Sequence, residues 1–241
     1  MISLTYINNY VCQYNIHLGE VMEKSVRAKV EDFFDSYPER HYPKGNVIVF
    51  ANDQADSVFF IVEGQVRQYD VSYRGDEVTL NVFKNPAFFS VGWAVNDSPN
   101  KFAFKAETEV IVKVAPANEV KKFLLDNADV AVDLLSRLYR GIDGLMGRMS
   151  QLMVGNARSR IIYELIIETE RSGVVKDDQT ILKVSETDLA SRTALSRETV
   201  SREISKLRAE EILEINGGSI KIKKMETLLL KLNPVRNNHA N

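Results

Sequence analysis

The chain has 241 residues, 44% of them hydrophobic and 27% charged, a balance that suits one large or two modest packed domains and excludes wholesale disorder. The formal net charge is −2, so bulk charge does not advertise a nucleic-acid partner. With Cys12 as its one cysteine, the chain has no means of forming a disulfide framework, a zinc knuckle or a cysteine-ligated iron–sulfur cluster by itself.

The opening segment MISLTYINNYVCQYNIHLGE lacks a basic stretch followed by an apolar run, so no signal peptide is expected. No apolar stretch reaches the ~20 residues of a membrane span. No membrane partner is expected, and the expected location is cytoplasmic. VMEKSVRAKVEDFF (21–34) reads as a helix. From Tyr42 to about Val114 the text becomes strand-like: NVIVF, SVFFIVEG, QVRQYDV, EVTLNVF, KFAFKAE and EVIVKVA. These runs are short and rich in Val, Ile and Phe. They are broken by turn residues at Asn52-Asp53, Glu63-Gly64, Arg74-Gly75-Asp76 and 96–100. Short strands at near-regular spacing predict a sandwich or barrel.

Helical texture runs from Ala117 to about Val154. Ala131, Leu135, Leu138, Ile142, Leu145, Met149 and Leu152 recur in alternating steps of four and three. This a/d seam predicts a parallel helix pair across a homodimer rather than a helix packed only on its own barrel. Gly141, Gly144 and Gly147 lie off the seam, where they serve either close backbone approach or local flexibility. Gly155 is a helix stop and Asn156 an N-cap for ARSRIIYELIIETER, which makes this point a domain boundary and a candidate hinge. SGVVKDDQT reads as a polar loop, followed by two short helices, a hairpin and a last helix. The expected division is a sensing β-barrel over 1–116, a dimerisation helix over 117–154 and a DNA-binding domain over 155–241. That last part carries 15 Lys+Arg against 13 Asp+Glu, a faint basic bias.

Residues 185–208, SETDLASRTALSRETVSREISKLR, hold the clearest chemistry. Ser185 with Asp188 is a capping-box pattern, Thr193-Ala194-Leu195 a short turn, and Ser196 a second N-cap. Two short helices across a three-residue turn make a helix-turn-helix. On the second helix Val200, Ile204 and Leu207 share one narrow face. Arg197, Glu198, Ser201 and Arg202 span another arc. Arginine presents two parallel donors to guanine, glutamate accepts from cytosine, and Ser201 suits a phosphate or a base. The competing reading is a solvated face with a Glu198–Arg202 ion pair at i, i+4. EILEINGGSIKIKK (211–224) then reads as a hairpin about Asn216-Gly217, with Ile220 and Ile222 on one face and Lys221 and Lys223 on the other. A basic hairpin directly after a helix-turn-helix is a wing placed for phosphates.

Over nearly its whole length the chain resembles transcription regulators of the cyclic-AMP receptor protein/FNR family. The resemblance rests on LSRETVSREISKL (195–207) and on YPKGNVIVFANDQADSVFFIVEGQVRQY (42–69), with Gly45 and Gly64 at turn positions. It implies an α+β fold: an N-terminal double-stranded β-helix (jelly-roll, cyclic-nucleotide-binding-like) barrel, a long dimerisation helix and a C-terminal winged helix-turn-helix. Arg197, Glu198, Ser201 and Arg202 match the family's reading patterns. The resemblance implies TGTGA- or TTGA-like half-sites in an inverted repeat of double-stranded DNA, with two reading helices ~34 Å apart. Ala194 stands where the family often has glycine.

The same resemblance points away from cyclic AMP. The family's ribose-binding Gly-Glu pair falls at Ser90-Val91, its phosphate-binding Arg-Ser pair at Lys101-Phe102, and its adenine-contacting Thr-Ser pair at Leu145-Met146. Val91 accepts nothing from a ribose, Phe102 donates nothing to a phosphate, and Lys101 keeps charge without the arginine fork. Trp93, Phe102, Leu145 and Met146 are expected to line an apolar effector pocket, with Ser90, Val91 and Lys101 beside it. His17, His41 and His239 are the histidines, and none is expected to ligate haem. No cofactor or metal is predicted. A catalytic barrel would want clustered His and carboxylate ligands, which no strand carries, so no catalytic residue is assigned. Activation would need a contact with RNA polymerase, for which segment 172–180 is the candidate. The alternatives are a constitutively active regulator or a protein-interaction module without a small-molecule effector.

Overall fold

The computed structural model describes residues 22–54, 56–73, 75–176, 179–216 and 218–232. Cys12, His17 and His239 lie outside the described residues, as does the Gly217 of the hairpin turn. Two compact units form, Val21–Ser136 and, among the described residues, the part from Arg137 onward.

In the first unit, α1 (Lys24–Asp35) buries Val26, Val30 and Phe34, an i, i+4, i+8 stripe. Eight strands follow: β1 (Glu39–Tyr42), β2 (Val47–Val49), β3 (Ser57–Glu63), β4 (Gln65–Val71), β5 (Glu77–Lys84), β6 (Ala87–Phe89), β7 (Ala103–Ala106) and β8 (Val110–Pro116). They build two four-stranded antiparallel sheets, ordered β1-β8-β3-β6 and β2-β7-β4-β5. One core lies between the sheets, where Phe59, Ile61, Phe89 and Val112 meet Val49, Val66, Phe104 and Ala106. A second core lies on the other face of the first sheet, where Val58, Phe60 and Phe88 pack against Phe34, Val120 and Leu124. Being covered on both faces is why β3 reads SVFFI instead of alternating. Gly45 and Gly64, the barrel glycines of the sequence, both take φ +89.

The strand pattern understated this sheet pair. β1 is largely exposed and polar, and only its pairing with β8 makes it a strand. The run 86–96, which the strand pattern leaves unassigned, holds β6 and a short helix, α2 (Val91–Asn96). The long helical stretch is broken at Asn127, whose side-chain amide donates to the Phe123 carbonyl at 2.9 Å. The break separates α3 (Ala117–Asp126) from α4 (Ala128–Val154). On the outer face of the second sheet Arg67 pairs with Glu77 at 2.5 Å and with Glu107 at 3.1 Å, and Lys105 also pairs with Glu77.

The second unit takes α4 from Arg137, then α5 (Ala157–Ser172), β9 (Val174–Lys176), β10 (Gln179–Leu182), α6 (Glu186–Thr193), α7 (Arg197–Ala209), β11 (Leu213–Asn216), β12 (Ser219–Ile222) and α8 (Met225–Leu232). Asn156 caps α5, accepting from the Ser159 N–H at 2.9 Å, as its sequence position predicts. The segment read as a polar loop is instead the strand pair β9 and β10, joined through β10 to the wing in a sheet ordered β11-β12-β10-β9. Its Thr180 and Leu182 are buried, a tertiary burial that the surrounding polar residues hide in the sequence. The core joins Ile161, Ile162 and Leu165 of α5 to Leu182, Leu189, Val200, Ile204, Leu207, Ile220 and Leu228.

Candidate nucleic-acid interface

Helix α6 begins in the capping box that its sequence predicts. The Asp188 N–H donates to Ser185 Oγ at 3.1 Å, and the Ser185 N–H donates to Asp188 Oδ2 at 2.9 Å. The helix closes at Ala194, which takes φ +52, ψ +42 and donates its N–H to the Ala190 carbonyl. That left-handed residue turns the chain from α6 into α7, and it costs a non-glycine residue about 1–2 kcal/mol. Ser196 then caps α7, accepting from the Thr199 N–H at 3.2 Å.

The two faces of α7 separate cleanly. Val200, Ile204 and Leu207 are fully buried, and burying each such side chain is worth about 1.5–3 kcal/mol. Ser196, Arg197, Glu198 and Arg202 are exposed, with Ser201 half-buried. Arg202 does not take the Glu198 carboxylate. Its Nε donates to the Glu198 carbonyl at 3.4 Å and its Nη2 to Thr199 Oγ1 at 3.5 Å. The guanidinium is thereby drawn back toward the first turn, where Arg197 and Glu198 lie. The helix ion pair that does form is Glu203–Lys206, at 2.6 Å. The reading arc therefore keeps both arginines clear of intrahelical carboxylates.

The wing pairs Leu213 with Ile222, Glu214 with Lys221 and Ile215 with Ile220. Ile220 and Ile222 are buried, and Lys221 is half-buried. Lys223 pairs with the Glu214 carboxylate. Its hydrogen bond, joined by the charges of Lys223 and Lys221, holds that carboxyl below the usual range. Lys223 is thus held at the Glu214 carboxylate, and Lys221 stands across the strand pair from it.

At the place where the resemblance puts a nucleotide's ribose and phosphate, the first unit has Ser90 in a left-handed conformation, φ +69, where glycine would be unstrained. The buried Ser90 hydroxyl donates to Asn100 Oδ1 at 2.7 Å, and Asn100 Nδ2 donates to the Asp53 carbonyl at 3.3 Å. Nothing in the polar DSPN context of the sequence marks Asn100 as more than a turn residue. Val91 packs against the helical core, and Lys101 is exposed. The Trp93 ring lies 6.4 Å from Phe102 and 5.6 Å from Phe104. Leu145 and Met146 belong to the second unit, and both are exposed. Among the described residues no three His, Cys, Asp or Glu side chains are grouped to hold a metal, and no helix is long and apolar enough to cross a membrane.

Comparison with known proteins agrees with both units. The cyclic nucleotide-binding domain matches residues 39–127, and the Crp-like helix-turn-helix domain matches residues 159–230. The chain belongs to the CRP/FNR family of DNA-binding transcription regulators. This regulator is 27% identical over 191 residues to the global nitrogen regulator of Nostoc sp., covering 78% of this chain and 86% of the relative. It is 20% identical over 201 residues to the cAMP-activated global transcriptional regulator CRP of Haemophilus influenzae, covering 82% and 90%. Among solved structures it is similar in fold to a CooA mutant of Carboxydothermus hydrogenoformans, with a TM-score of 0.75, 16% identity and 89% and 99% coverage. It is also similar to FixK2 of Bradyrhizobium japonicum, with a TM-score of 0.69, 22% identity and 80% and 95% coverage.

Proposed function

We propose that this regulator acts as a two-fold homodimer that reads an inverted repeat of TGTGA- or TTGA-like half-sites. One observation carries the reading. Leu135, Leu138, Ile142, Leu145, Met149 and Leu152 remain between 39% and 56% exposed along one stripe of a 27-residue helix. An apolar stripe about 26 Å long in water marks an interaction surface, and its a/d spacing suits a parallel copy of itself. Two copies would bring two α7 helices to successive major grooves, with Arg197, Glu198, Ser201 and Arg202 on base edges, and Ser196, Lys221 and Lys223 near phosphates. The protein acts by binding and not by catalysis. It works in the cytoplasm and contacts RNA polymerase through β9 and β10.

The signal we propose is an effector other than cyclic AMP. Val91 and Phe102 offer a nucleotide no hydrogen bond, and the Ser90 hydroxyl is engaged by Asn100. The relatives differ in this respect too: one is named cAMP-activated, while a Xanthomonas campestris regulator of similar fold is described as c-di-GMP responsive. A second reading, activity without any effector, is favoured by the rings of Phe59, Phe89, Phe104 and Trp93, which contact one another in series through the barrel core. Selection of bound DNA from a random pool, with and without a cell metabolite extract, tests both. Enrichment of an inverted repeat only with extract supports the effector, and equal enrichment in both arms supports the second reading. A pool that enriches no repeat in either arm sinks the proposed site.

A further inference from the structure

Two carboxylates one helical turn apart on α5 are buried in ion pairs that face different neighbours. Glu164 receives Arg148 of α4 through two hydrogen bonds of 2.9 Å, from Nε and from Nη2. Glu168 receives Arg192 of α6, with Nη1 at 2.5 Å. All four side chains are largely sequestered, at 13%, 2%, 10% and 7% exposure for Arg148, Glu164, Arg192 and Glu168.

Two further contacts close the α4–α5 elbow. Tyr163 lies against Gly147 so closely that a Cβ there would sit 1.7 Å from its hydroxyl. Arg160 reaches back to the last carbonyls of α4, with Nη2 at 3.0 Å from the Leu152 oxygen and Nε at 3.3 Å from the Gln151 oxygen.

We infer that Glu164 and Glu168 are positioning residues for DNA recognition, a two-bolt clamp that fixes α6 and the reading helix at one angle to α4. A buried ion pair adds little net stability, because desolvation offsets the attraction. It strongly disfavours every arrangement that leaves one charge unpaired, so it selects an angle better than it stabilises a fold. The fork geometry of Arg148 tightens that selection, since two parallel bonds define an orientation as well as a distance. The inference rests on the dimeric reading. With two copies joined along α4, the elbow angle sets the separation of the two reading heads.

The test is a spacer series. One extra base pair between half-sites displaces them by about 3.4 Å and rotates them by roughly 35°. Full-length wild type should prefer one spacer over its neighbours by about tenfold or more. Glu164→Gln should flatten that preference to less than about threefold while leaving base preference within each half-site unchanged. The charge swap Arg148→Glu/Glu164→Arg should restore it. Should Glu164→Gln not fold, Arg192→Lys carries the same test at the second pair, because it keeps the charge and moves the donor that meets Glu168.

A folded Glu164→Gln protein with lower thermal stability and an unchanged spacer preference would overturn the clamp and leave the pair merely structural. So would a folded charge swap that stays indifferent to spacing, or a wild type that binds repeats without any spacing preference. Wild type that binds a lone half-site as tightly as any repeat would overturn the dimeric reading as well.

Discussion

Arg148 and Glu164 meet side-on, Nε to Oε2 and Nη2 to Oε1, both at 2.9 Å, with the carboxylate only 2% exposed. Burial lowers the pKa of the guanidinium. The charge and hydrogen bonds of Glu164, joined by the charge of Glu168, more than reverse this, leaving Arg148 above its ordinary value. Removing one partner should therefore be costly. Arg148→Ala is expected to lose about 3–5 kcal/mol in urea unfolding, whereas Arg148→Met/Glu164→Leu should recover most of it. Equal losses in the single and double variants would show that the pair is not what the site depends on.

Ala194 carries a left-handed backbone at the turn into the reading helix. Glycine there removes the Cβ strain, although it gives the unfolded chain more freedom. The balance favours Ala194→Gly by about 0.5–1 kcal/mol. A rise in the melting temperature of the helix-turn-helix checks this, and a fall would contradict the strain argument.

Ile142 lies mid-way along the exposed stripe of α4. Placing a charge there buries an unpaired carboxylate in any helix pair. Ile142→Asp should sediment as a monomer at concentrations where wild type is a dimer, with circular dichroism unchanged. A dimeric variant would place the interface elsewhere.

On α7, Arg197→Ala and Arg202→Ala should each weaken binding to the selected repeat by about 1–3 kcal/mol and relax preference at one base. Lys221→Ala should instead weaken all sequences alike and reduce the salt slope by about one. Gel shifts across a salt series separate the two behaviours. An arginine variant that weakens all sequences uniformly would reassign that residue to the backbone.

Glu77 gives the barrel an acid sensitivity. Burial raises its pKa, but the hydrogen bond from Lys105 and the fields of Arg67 and Lys105 outweigh it, so the folded carboxyl sits below its ordinary value of 4.5. A depressed carboxyl contributes stability above its unfolded pKa and loses it as pH falls through the folded one. Urea midpoints followed by the fluorescence of Trp93, the one tryptophan, should therefore fall as pH drops below 4.5. They should fall less steeply in Glu77→Gln, and an identical pH profile for the variant would remove Glu77 from the account.

The parts of this protein that depend on near neighbours in the chain were determined by the sequence alone. The capping box of Ser185 and Asp188, the N-caps at Asn156 and Ser196, the buried face of Val200, Ile204 and Leu207 and the paired strands of the wing each rest on residues within a few positions. The heptad of α4 is local in the same sense. What depends on distant partners was decided only by the tertiary structure. Strand β1 exists because β8 runs beside it, and β9 and β10 because the wing completes their sheet. Ser90 keeps its strained backbone with Asn100 bonded to its hydroxyl. Arg148 finds Glu164 across the elbow, and Gly147 proves to be a seat for Tyr163, where the sequence left close approach and flexibility both open. Periodicity and capping report energies that act within one turn or one hairpin, whereas burial and charge pairing report neighbours that only folding brings together. The helix-turn-helix belongs to the first kind, and the α4–α5 elbow belongs to the second.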